Sequence, residues 1–156
     1  MLTNLIRAIA LFMFAGMTLA STHNALSESI VPTPELSPRD VVQYQLDALR
    51  HNDEQDRGIA LTYRFAAPSN KAQTGPLPRF ARMIKNGPYA LMLNYRDAIY
   101  SEVKVEGDQA YLSVVLIGET QTVRYEFMLS KQKDGPNQNC WMTEAVSARP
   151  FKGNLA

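Results

Sequence analysis

The hydrophobic period of this chain changes once, near residue 98, and that change limits the folds open to it. Upstream, Leu77, Phe80, Ala81 and Ile84 fall at i, i+3, i+4 and i+7, a spacing that gathers side chains on one face of an α-helix. Val42, Leu46 and Leu49 mark a second such face, and Ile59, Tyr63 and Ala66 a third. Downstream, Val123, Tyr125, Phe127 and Leu129 alternate with Arg124, Glu126 and Ser130. That is the period of a strand with one covered face. Helices followed by strands is an α+β order. The three amphipathic helices are the only cover available, so the expected fold is three N-terminal helices packed on a curved antiparallel sheet of about four strands.

Local signals set the expected boundaries. Ser37-Pro38-Arg39-Asp40 opens the first helix: a side-chain cap, a proline suited to the first turn, and an acid at the positive end. It ends near His51. Asn52 is expected to cap the second helix, with Asp53, Glu54 and Asp56 in its first turn. Gly58 allows close helix packing, and Pro68 stops the helix. Residues 69–75 read as a polar loop. Thr74-Gly75-Pro76 opens the third helix, Asn86-Gly87-Pro88 ends it, and residues 89–93 suit one further turn. Residues 98–106 read as one strand and Gly107-Asp108 as a hairpin turn. Gln109–Ile117 is apolar on both faces, as a central covered strand would be. Thr122–Lys131 follows, then a loop over 133–139 and a last strand over 140–148.

The N-terminus reads as an address. Residues 1–7 end in Arg7, and residues 8–20 are an unbroken apolar and small-residue run. The run is too short for a hydrocarbon core of ~30 Å, which takes about 20 residues, and it matches the apolar region of a secretory signal. Thr18 and Ala20 put small residues at −3 and −1 of a cut between Ala20 and Ser21. No Cys adjoins that cut, which excludes a lipid anchor. An uncleaved anchor or a buried N-terminal helix is the alternative. The expected organisation is a signal peptide over 1–20, a flexible tether over 21–37 containing Pro32 and Pro34, one domain over 38–148, and a tail over 149–156. The expected location is secreted or periplasmic, with no membrane span after cleavage. Losing Arg7 leaves 15 basic residues against 15 acidic. A neutral domain has no electrostatic reason to hold nucleic acid.

Few side chains point to chemistry. G-x-S-x-G, H-E-x-x-H and G-x-G-x-x-G are all missing, so no cofactor is indicated. His23 and His51 have no second ligand at metal spacing, so no metal site is expected. Arg79, Arg82 and Lys85 lie opposite the apolar stripe of their helix and read as a solvated face. Cys140 is the lone cysteine. No Lys, Arg or His stands within three residues to activate it, so it reads as a small buried hydrophobe. Glu144 is the candidate acid. If Cys140, Met142, Glu144 and Val146 face inward, it is a carboxylate among apolar groups, with the raised pKa of a general acid or base. If Trp141, Thr143, Ala145 and Ser147 face inward, it lies in water.

Many short segments carry a family resemblance: Asp47-Ala48-Leu49-Arg50, Asp56-Arg57-Gly58-Ile59, Phe65-Ala66, Thr74-Gly75-Pro76, Arg79-Phe80-Ala81-Arg82-Met83 and Cys140-Trp141-Met142-Thr143. Together with the Asn52-Asp53 turn they resemble the family called domain of unknown function 4864, over about residues 38–146. The resemblance implies no particular chemistry. The element order also resembles the nuclear-transport-factor-2-like superfamily, in which three helices close a curved sheet into a cone with a pocket at its mouth. That superfamily includes isomerases, dehydratases and many binding modules, and fold alone does not choose among them.

Three functions follow as expectations. The first is a non-enzymatic exported domain that binds a small apolar ligand or an envelope protein, with Tyr63, Arg64 and Trp141 as candidate ligand contacts. The second is an acid/base enzyme in which Glu144 carries the proton with Tyr63 or Arg64 nearby. The third is an interaction module that homodimerises through the outer sheet face around Arg124, Glu126 and Met128. The pocket itself is expected to be partly filled by aromatic and aliphatic side chains, with Glu144 at its rim or outside.

Overall fold

The computed structural model of the chain describes residues 30–151 and 153. The signal peptide expected over 1–20, the cut expected between Ala20 and Ser21, and residues 21–29 lie outside the described residues. The order is α1 (Pro38–Arg50), α2 (Arg57–Arg64), α3 (Pro68–Thr74), α4 (Leu77–Lys85), a 3-10 segment (Gly87–Leu93), then β1 (Asp97–Tyr100), β2 (Lys104–Glu106), β3 (Gln109–Ile117), β4 (Thr122–Lys131) and β5 (Trp141–Pro150). All strand pairs are antiparallel. The sheet runs β1-β3-β4-β5, with β2 also paired to β3. This is an α+β fold, and the described residues form one more helix and one more strand than the periodicity alone indicates.

The start of α1 is a reciprocal cap. Ser37 Oγ accepts from the Asp40 amide, and the Asp40 carboxylate accepts from the Ser37 amide at 2.8 Å. The Ser37 hydroxyl also donates to that carboxylate, and these bonds hold its pKa below the usual value. The buried face of α1 carries Val41, Val42, Gln45, Leu46 and Leu49. Helix α2 begins at Arg57, later than a cap at Asn52 implies. Asn52 and Asp53 still cap it, from the preceding turn: Asn52 Oδ1 accepts from Ile59 N at 3.0 Å, and Asp53 Oδ1 from Arg57 N at 3.1 Å. A Cβ on Gly58 would stand 2.0 Å from the carbonyl oxygen of Ala48. Only glycine lets α1 and α2 approach this closely.

Pro68 does not simply stop a helix; it is the first residue of α3, where a missing N–H costs nothing. Residues 69–75 read as a loop because they carry no apolar stripe, and Asn70 is the buried residue of α3. In α4, Phe80 and Ile84 are buried but Leu77 is exposed. Leu77 occupies the first helical position, beyond the part of the stripe that reaches the core. Tyr63 packs its ring against Phe80, with centroids 5.1 Å apart.

The strand expected over 98–106 is broken at Ser101. Ser101 N donates to Ser113 O, but Ser113 N donates to the Ser101 side chain at 2.9 Å. A hydroxyl thus takes over from a carbonyl in the ladder, and β1 and β2 flank the break. Central β3 buries Ala110, Leu112, Val114 and Leu116 on its inner face, and Val115 on the other. Tyr125 of β4 is fully buried and donates its hydroxyl to Pro88 O at 2.7 Å, fixing the 3-10 segment to the sheet. Burial pushes that hydroxyl up to about 12.

Strand β5 follows neither of the two single-face readings. Leu129 pairs with Thr143 and Met128 with Ala145, so Glu144 is an extra residue in a β-bulge. The bulge shifts the alternation by one. Trp141 and Thr143 face the core before it, and Val146 and Ala148, opposite Phe127 and Tyr125, face the core after it. Arg149 and Pro150 pair with Arg124 and Val123, so the sheet takes in the first two residues of the expected tail. At the other end, Ile30 and Leu36 of the expected tether pack against the core. Large apolar side chains bury themselves even in a segment with two prolines.

Candidate functional site

A cavity of about 190 Å³ lies between the helices and the β5 end of the sheet. Its walls are Leu49 from α1, Phe80, Met83 and Ile84 from α4, Met92 from the 3-10 segment, and Phe127 from β4. Gln45, Thr62 and Thr143 add a polar side to the lining. Thr143 Oγ1 donates to Gln45 Oε1 at 2.7 Å, and Gln45 Nε2 donates to Thr62 O at 3.1 Å. The Thr62 hydroxyl is within 3.1 Å of Gln45 O. All three side chains are buried, so the network satisfies polar groups that would otherwise be costly. Tyr89 borders the cavity and donates its hydroxyl to Val146 O at 2.9 Å.

The mouth is marked by exposed Gln73 and Ala145 and half-buried Thr74. Asn70 also borders the cavity and is only 8% exposed. Its backbone carbonyl accepts from Thr74 Oγ1 at 2.9 Å, and its Oδ1 lies 3.4 Å from the same hydroxyl. Among the described residues nothing accepts from its Nδ2.

Glu144 is the one lining residue of formal charge, and it is half-buried. One carboxylate oxygen accepts from Ser69 Oγ at the start of α3, the other from Ser130 Oγ on β4. Ser130 pairs with Met142 and stands on the sheet face away from the helices. The bulge therefore turns the carboxylate toward the edge and outer face of the sheet. No ion pair among the described residues includes it.

The other candidates lie apart from the cavity. The Tyr63 hydroxyl donates to Gly75 O at 3.0 Å. Arg64 Nη1 donates to Ile30 O at 2.8 Å. Trp141 is a core residue with the Lys131 amine 5.7 Å from its ring centre. Cys140 is buried with Met142 and Ala67, and burial pushes its thiol up. His51 caps α1 with Nδ1 2.8 Å from Asp47 O. Arg79 and Arg82 are exposed, and Lys85 pairs with Asp56 at 2.7 Å. Arg124 lies on the outer sheet face, its guanidinium 5.4 Å from the Phe151 ring centre. Among the described residues no cluster of His, Cys, Asp and Glu is arranged for a metal ion. No described helix is long and apolar enough to cross a membrane.

Sequence reasoning missed Gln45 and Asn70. The first had a signal: it sits within the apolar stripe of α1, three and four residues from Val42 and Val41. A polar side chain on a core face needs a buried partner. Asn70 had none, because its helix has no apolar period.

No curated protein and no solved structure matches the chain, and the nuclear-transport-factor-2-like resemblance stays one of element order. A family model described as Domain of unknown function (DUF4864) matches residues 34–153, most of the chain, and the chain belongs to that family.

Proposed function

We propose that this protein is an exported, non-enzymatic domain that holds a small, mostly apolar ligand in the cavity between its helices and its sheet. The observation that carries the proposal is the unfilled space of about 190 Å³ among Leu49, Phe80, Ile84, Met92 and Phe127. Natural cores are packed to crystal-like density, and empty space among such side chains costs stability. A cavity of about 150 Å³ with similar walls accepts benzene. Small, concave and largely apolar sites with a few polar groups are the common form of a ligand site.

An acid/base enzyme fits less well. Such a site needs at least two convergent groups able to exchange protons near the substrate. Glu144 is held by two serine hydroxyls at the sheet edge, and the Tyr89 hydroxyl is engaged with Val146 O. The remaining polar lining is carboxamide and hydroxyl. Export rests on the charged start, the apolar run over 8–20, and the Thr18/Ala20 pair.

Native mass spectrometry of the protein recovered from the cell envelope or medium tests both parts. The expected result is a chain beginning at Ser21 that carries a small organic adduct removable by solvent extraction. A chain retaining Met1 overturns export. The extracted protein should then show NMR shift changes at Phe80, Met83 and Met92 with one-ring apolar probes; no change at any probe overturns the ligand reading.

A further inference from the structure

We infer that the ligand of this cavity is a single-chain amphiphile. A hydrocarbon end of about six to eight carbons fills the space without making a hydrogen bond, and the polar head stays at the mouth beside Gln73, Thr74 and Ala145. The inference rests on the ligand-binding reading above and adds the ligand's polarity and its orientation.

Three observations carry it. The first is that no buried side-chain nitrogen or oxygen among the described residues lacks a partner. In the lining, Thr143 Oγ1 donates to Gln45 Oε1, Gln45 Nε2 to Thr62 O, and the Tyr89 hydroxyl to Val146 O. A polar group carried past them would lose its water and could bond only by displacing a bond already made. Ordered water is poorly served for the same reason, because a buried water needs about two to four polar partners. The second is that the lining divides by exposure. Leu49, Phe80, Ile84, Met92 and Phe127 are each more than nine-tenths buried, whereas Gln73 and Ala145 are exposed. Deep apolar walls under a solvated opening give a molecule with one polar end a single favourable orientation. The third is size. A cavity of about 150 Å³ accepts the six carbons of benzene. The space here, about 190 Å³, therefore takes one chain end and leaves no room for a second chain or for the head.

The probes are the straight-chain 1-alkanols from 1-butanol to 1-decanol, and 1,6-hexanediol, titrated by calorimetry into the extracted full-length mature protein. Affinity should rise about fourfold with each added carbon, as burial of a methylene group requires. It should level off at about seven carbons, where further carbons remain outside. 1,6-Hexanediol cannot keep both hydroxyls at the mouth, so it should bind about thirtyfold or more weakly than 1-hexanol. Intermolecular NMR contacts should join the terminal methyl group of 1-hexanol to Phe80, Met92 and Phe127, and its hydroxyl-bearing carbon to Thr74 and Ala145. If those contacts are reversed, or if the diol binds within about threefold of 1-hexanol, the inner wall offers a polar partner; the hydrocarbon end is then overturned and the cavity reading stands. If affinity climbs without a break to ten carbons, the chain is not enclosed and the size limit is overturned. If no alkanol binds, the cavity reading fails and takes this inference with it.

Discussion

Gln45 occupies a core position of α1, and its carboxamide links α2 to β5 through Thr62 O and Thr143 Oγ1. Each end of the network depends on the other. Thr143→Val leaves Gln45 Oε1 with no donor, and a buried polar atom left alone costs about 1–3 kcal/mol. Gln45→Leu strands the Thr143 hydroxyl at a similar cost, while Thr62 O keeps the Phe65 amide as a donor. The double variant removes both partners of the bond between residues 45 and 143, so its loss should fall short of the sum by about 1 kcal/mol or more. Urea unfolding of the three variants measures the coupling. Strict additivity would show that the two side chains do not act as a pair.

At the scale of elements, the readable parts were those in which one physical signal acts alone. Ser37-Pro38-Arg39-Asp40 opens α1 as its residue types require, because capping is decided within four residues. The alternation of Val123, Tyr125, Phe127 and Leu129 gave β4 for the same local reason. Leu77 misled, because periodicity shows which residues share a face but not how far along the helix the core extends. Helix α3 and the Glu144 bulge were hidden for a deeper reason. Neither has a pattern of its own, and each depends on what another segment brings to it. Ala67 N donates to Thr143 O and Thr143 N to Phe65 O, which brings the start of α3 against β5. Ser69 then bonds the carboxylate that the bulge presents. Because α3 buries so little of itself, this contact should control its opening. Glu144→Ala is expected to speed amide hydrogen exchange at Lys71 and Gly75 by about fivefold, equivalent to about 1 kcal/mol, while α1 amides keep their rates. Unchanged exchange at Lys71 and Gly75 would show that α3 is held by something else.

At the scale of the whole molecule, the cavity follows from how the cover meets the sheet. The helices lie over one face, and the large inner side chains of β3 and β4 fill the space beneath them, from Leu112 and Leu116 to Tyr125. Toward β5 the side chains become short: Thr143, Ala145 and Val146, with Ala66 beside them, border the cavity. A larger residue there would close the gap, so the space is a property of a few small side chains and not of the topology. Val146 faces inward and is half-buried, which makes it the position from which to fill the gap. Val146→Phe sends a ring toward Phe80 and Met92. Burying the added carbons in existing space should raise stability by about 1 kcal/mol after some strain is subtracted. For a domain of this size that is about 4 °C in thermal midpoint. The same variant should lose binding of the apolar probes, because the ring occupies their place. Gain of stability with loss of binding is the expected signature of space kept open for a ligand. Calorimetric melting and probe titration of one protein preparation read both effects together. A fall in the midpoint would show that the space cannot take a ring, and probe binding that survived the substitution would place the ligand elsewhere.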